Sequence, residues 1–124
     1  SGIRKEETKM SKASYWQRGE SLDYKNSGAA AIEANTVVEL PGRIGIAGTD
    51  IAPGAVGDLH MCGVFEFAKT SENAIPMGTA VYFDKTGITE AANDGEEEPA
   101  AYTPAGFAAA DAAAEDEKIL VKIG

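Results

Sequence analysis

Thr79-Ala80-Val81-Tyr82-Phe83-Asp84-Lys85-Thr86-Gly87-Ile88-Thr89 carries the pattern that decides the fold. Residues 79–84 combine β-branched and aromatic side chains, the types that fit a pleated, half-buried surface. Lys85-Thr86-Gly87 reverses the chain, and Ile88-Thr89 begins a short return. Outward from this unit the same grammar repeats. Thr36-Val37-Val38-Glu39-Leu40 reads as a strand, Pro41-Gly42 as a turn and Arg43-Ile44-Gly45-Ile46-Ala47 as the next strand, ended by Gly48, whose glycines suggest a close backbone approach or a bend. Glu20–Tyr24 alternates, with Leu22 and Tyr24 on one face. Val56–Phe67 is one long run, with a bulge or bend expected at Gly63. Residues 104–109 form a further strand. Lys118-Ile119-Leu120-Val121-Lys122-Ile123 ends the set, with Ile119, Val121 and Ile123 on one face.

The expected fold is therefore all-β: a small antiparallel barrel or sandwich of seven to eight short strands. Ala29–Ala34 and Asp111–Asp116 hold helix formers, but each spans less than two turns, so they are expected as one or two short helical turns at most. A βαβ fold needs crossover helices of about a dozen residues, and no segment between the strands supplies one. Residues 91–103 read as an acidic loop.

The 124 residues suit a single domain. We divide them into an N-terminal arm, 1–13, and a β-rich body, 14–124. The polar start, Ser1 to Lys12, has no apolar core and does not read as a signal peptide. No apolar run approaches a membrane span, so no membrane partner is expected. Cys62 is the sole cysteine, which excludes an internal disulfide. The net charge is −9, and it is unevenly spread. Residues 1–25 carry a net +2, from Arg4, Lys5, Lys9, Lys12, Arg18 and Lys25 against four carboxylates; residues 26–124 carry −11. An acidic body disfavours nucleic acid as a partner. A basic arm either remains a solvated tail or docks on an acidic neighbour. Tyr15 and Trp16 add aromatic anchors of the kind enriched in binding hot spots; the alternative for Trp16 is packing within its own chain. The possible interface is therefore Arg4, Lys5, Lys9, Lys12, Tyr15, Trp16 and Arg18.

Catalytic and metal chemistry find little support. His60 is the single histidine, and with Asp58 and Cys62 it would occupy one face of a continuous strand. Metal sites usually need three or four convergent ligands, and neighbours on one strand point in parallel, which is a poor geometry for a Cys–His catalytic pair. Lys85-Thr86-Gly87 matches one box of the penicillin-recognising serine enzymes, but no serine stands three residues before any lysine, so it reads as a hairpin turn. A phosphate-binding loop and a dinucleotide fingerprint are both missing. No catalytic residue, metal or cofactor is expected.

The order of segments resembles that of the tailed-phage capsid cement or decoration protein family. The resemblance rests on Tyr15–Tyr24, Ile44-Gly45-Ile46-Ala47, Gly63–Lys69, Ala74–Asp84, Ala105-Gly106-Phe107-Ala108 and Ile119–Ile123, covering residues 14–124. The family's aspartate and tryptophan in the fourth block are Thr79 and Phe83 here. Members have sometimes been labelled RecA-type recombinases, which the missing nucleotide loop does not support here. The resemblance implies a non-enzymatic protein that binds and stabilises the outer surface of a phage or prophage capsid. It implies a homo-oligomer, trimer before dimer, with the major capsid protein as partner, located on the virion surface and in the host cytoplasm before assembly. The competing reading from the residues is a small β-barrel carbohydrate- or protein-binding module on a particle or cell surface.

Overall fold

The computed structural model describes residues 10–124. Among these residues nine strands form two antiparallel sheets: β1 (Ser21–Lys25), β2 (Val37–Leu40), β3 (Arg43–Ala47), β4 (Val56–His60), β5 (Gly63–Ala68), β6 (Ala80–Phe83), β7 (Ile88–Thr89), β8 (Thr103–Ala108) and β9 (Lys118–Ile123). The first sheet has the order β1-β4-β3-β2 and the second β5-β9-β8-β6-β7. They pack as a sandwich and do not close into a barrel.

The core follows from alternation. Ile44 and Ile46 of β3 face Phe67, Val81, Ile88, Ala105, Ala108, Ile119, Val121 and Ile123 of the second sheet. Along β9 the three inward residues are buried, while Lys118 and Leu120 point out and Lys122 is only partly covered. β5 and β9 pair over their full length, from Gly63↔Ile123 to Ala68↔Lys118. Gly45 lies under Leu59, where an added Cβ would sit 2.5 Å from Cγ; the close approach there is made by a side chain and not by a neighbouring backbone. Gly106 has φ +121° and sits at a register shift between β6 and β8, which is a β-bulge.

Two expectations change. The run 56–67 is two strands in different sheets. The first sheet ends at His60, Met61-Cys62 carries the chain across, and the second sheet begins at Gly63. Among the described residues the short helical turns are absent. Ile32 in the first alanine-rich segment instead pairs with Ile51, and Ala112 in the second pairs with Ile75. Each is a two-bond antiparallel bridge of 2.7–2.9 Å. A helix of under two turns cannot recover its nucleation cost, whereas a bridge pairs the backbone and buries Ala112 and Ile75 together.

Candidate functional site

The polar network first shows where chemistry is not concentrated. Lys85 Nζ donates to Glu39 Oε1 at 2.8 Å, and Thr103 Oγ1 donates to Glu39 Oε2 at 2.6 Å. These bonds hold the Glu39 carboxyl below the usual range and tie β2 to the second sheet. Burial pushes Asp84 up, but hydrogen bonds from Thr70, Gly87 and Thr86 outweigh it and leave that carboxyl low. Its Oδ1 accepts from Thr86 N and Gly87 N, so the lysine-threonine-glycine triplet is a turn. A bond from Ser71 leads the causes that lower Glu90. A general acid needs a raised carboxyl; these three are lowered and serve as loop ties.

His60 and Cys62 do not share a strand, because the crossover separates them. His60 Nδ1 lies 3.2 Å from Ser21 Oγ and its ring 6.1 Å from that of Phe65. Among the described residues no three His, Cys, Asp or Glu side chains are placed to hold a metal ion. Lys69, only 8 % exposed, donates through Nζ to Ser71 O at 2.7 Å and Ala114 O at 3.1 Å. Its charge is solvated by carbonyls and clamps two loops.

The unburied apolar residues are the unusual feature. Residues 10–19, the end of the arm and the segment that joins it to β1, lie outside every strand and are exposed, with Tyr15 at 83 % and Trp16 at 89 %. Lys12 and Arg18 flank this pair; Arg4, Lys5 and Lys9 lie outside the described residues. Arg18 Nε approaches Glu20 Oε1 at 3.9 Å, both side chains being exposed, an ion pair of little energetic weight. The arm is rooted where Met61 N donates to Glu20 O at 2.8 Å, beside the crossover. A smaller apolar set, Val64, Phe107 and Leu120, lies on the outer face of the second sheet, with Lys122 Nζ 5.9 Å above the Phe107 ring. The exposed aromatic rings therefore do not converge in one groove. An open groove of about 460 Å³ lies elsewhere, between the Ile75 and Ala112 loops, lined by Ala74, Pro76, Asp111, Ala112, Ala113 and Asp116. The sequence reading missed it, because its two walls are more than thirty residues apart and built largely from alanine.

Fold and site together define a small β-sandwich structural module with an aromatic arm outside its core. The family model of the phage cement proteins matches residues 16–123, beginning at Trp16. The match covers most of the chain, and the chain belongs to the phage cement protein family. It is thereby a structural, capsid-associated phage protein. No curated protein and no solved structure matches the chain.

Proposed function

We propose that the protein binds the outer surface of an assembled phage or prophage head and stabilises it without catalysing a reaction. Its partner there is the major capsid protein, and it resides in the host cytoplasm before assembly. It acts as a homo-oligomer, a trimer before a dimer, and its N-terminal arm takes part in the contacts. The observation that carries this reading is the segment that joins the arm to β1: two large aromatic side chains, Tyr15 and Trp16, held in water outside every strand, attached to a sandwich whose core is built without them. A buried aromatic side chain removes about 150–250 Å² from water, so leaving two exposed forgoes several kcal/mol that a contact recovers.

The test uses heads that lack the protein. Adding the purified chain is expected to decorate their exterior in electron micrographs and raise the temperature at which they rupture. Light scattering of the concentrated protein is expected to give three times 12.9 kDa. Heads that neither bind the protein nor gain thermal resistance would overturn the reading.

A further inference from the structure

Resting on that reading, we infer that the groove between the Ile75 and Ala112 loops is the seat for the arm of a second copy, so that copies join head to tail.

The groove has the chemistry of a seat for an aromatic ring, with an anionic rim. Its floor is Ala74, Pro76, Ala112 and Ala113, and its edges are Asp111 and Asp116. Both carboxylates are fixed before anything binds. Asp111 Oδ1 accepts from Met77 N at 2.8 Å, and Asp116 Oδ2 accepts from Ala113 N at 2.8 Å. Each keeps a second oxygen for a ligand, and pre-positioned acceptors lower the ordering cost of binding. Glu115 and Glu117 line the neighbouring hollow, which shares Asp116 with the groove, and the Lys69 ammonium there is already bonded to two carbonyls. The complementary ligand is an apolar ring flanked by cations, and Lys12-Ala13-Ser14-Tyr15-Trp16-Gln17-Arg18 has that composition. Charge on the two sides is opposite, as an interface of this kind requires.

Geometry selects a second copy over the chain's own arm. The arm is rooted at Glu20, beside Met61, at the end of the second sheet where Gly63 pairs with Ile123. The groove lies past the other end, where Ala68 pairs with Lys118 and Lys69 N donates to Glu117 O. β5 alone spans about 17 Å at the usual strand rise, and the groove is further on. Four stretched residues from Glu20 back to Trp16 cover at most about 14 Å, and the root stands on the first sheet's side of the crossover. An arm at one end and its seat at the other make a heterologous contact, which closes into a ring when the rotation between copies allows.

Trp16 is the sole tryptophan, so its fluorescence reports the arm. In the unsubstituted protein a concentration-dependent blue shift and loss of iodide quenching are expected. Ala113→Lys, at an exposed groove position, should abolish both while circular dichroism stays unchanged. The double variant Asp111→Asn, Asp116→Asn keeps the oxygen acceptors for Met77 N and Ala113 N, and should weaken self-association about tenfold or more, the size of one lost hot-spot contact. The decisive measurement mixes full-length Tyr15→Ser, Trp16→Ser chains with full-length Ala113→Lys chains. The single tryptophan then belongs to a chain with a blocked groove, and only the other chain's groove is free to bury it. A blue shift in the mixture and in neither component supports the inference. A red, quenchable Trp16 in the mixture, a blue shift that survives Ala113→Lys, or protection independent of concentration each overturns it. Head binding by the unsubstituted protein is read separately. Decorated heads with a red mixture remove the head-to-tail contact and leave the capsid role standing; bare heads remove the capsid role itself.

Discussion

Gly106→Ala should be among the most damaging single-methyl additions in the protein. At φ +121° an alanine enters a region that L side chains rarely adopt, at a cost of about 1–3 kcal/mol. The added Cβ would also collide with the Lys122 carbonyl oxygen and lie 3.0 Å from its carbon and 3.2 Å from Ile123 Cα. These are backbone atoms of β9, the strand that carries Ile119, Val121 and Ile123 into the core, so the neighbour cannot swing aside as a side chain would. Overpacking of this kind costs a further 1–3 kcal/mol or so, and the sum is about 2–6 kcal/mol. A chain of 124 residues has an unfolding entropy near 0.26 kcal/mol/K, so about 4 kcal/mol lowers Tm by about 15 °C. Gly54→Ala is the control. Its φ is +79° and nothing lies within 4 Å of its added Cβ, so it meets only the left-handed penalty of about 1–2 kcal/mol. Urea unfolding of both variants separates backbone conformation from interstrand collision. Equal losses for Gly106→Ala and Gly54→Ala would refute the claim that β8 and β9 are held this closely.

Ile88→Ala, at a fully buried site, should cost about 2–5 kcal/mol in urea unfolding, whereas Leu120→Ala on the half-exposed outer face should cost under about 1 kcal/mol. Glu39, Asp84 and Glu90 have lowered folded-state pKa values, so the unfolded chain takes up protons first. Their contribution is complete above the ordinary carboxylate range, shrinks below it and is gone only once pH has fallen through the lowered folded-state values; the urea midpoint should drop on acidification, with a flatter profile in Glu39→Gln. Lys69→Met removes the two carbonyl contacts of a buried ammonium and should speed amide hydrogen exchange at Ala113 and Asp116, with a global loss of about 1–3 kcal/mol; unchanged exchange there would show that Lys69 does not clamp the loop.

Much of this fold is legible in the chain because its strands are short, alternating and punctuated. Residues 43–47 and 118–123 are read to the residue: 118–123 alternates between core and water, and 43–47, buried from Ile44 onward, is bounded by Pro41-Gly42 and Gly48. Residues 56–67 are read as one strand because apolar spacing continues through Met61-Cys62, and a change of sheet leaves no mark when both sheets bury the same kinds of side chain. The alanine-rich segments mislead for a related reason. Alanine favours a helix locally, yet Ile32 and Ala112 each find a backbone partner distant in sequence, Ile51 and Ile75, and tertiary pairing outweighs weak local propensity. The basic and aromatic arm is visible in composition, because Tyr15 and Trp16 stand outside every alternating segment. Its proposed seat is not visible, because Ala74 and Ala113 carry no chemistry until the Ile75↔Ala112 bridge brings their loops together.

The crossover misread in the sequence also decides where the protein's charges can meet. By switching sheets at Met61-Cys62, the chain places the arm root next to the end of β9, as far along the second sheet as possible from Asp111 and Asp116. A body carrying −11 repels identical bodies, so bare sandwiches gain little by approaching one another. Putting the cations on an arm changes that balance, because Lys12 and Arg18 can enter a neighbour's field while the bodies remain about an arm's length apart. At 0.15 M salt the screening length is about 8 Å, so body–body repulsion is largely screened at that separation, whereas a cation in contact with Asp116 is screened much less. With the arm rooted at one end of the second sheet and Asp111 and Asp116 past the other, directed contact is favoured over random clustering.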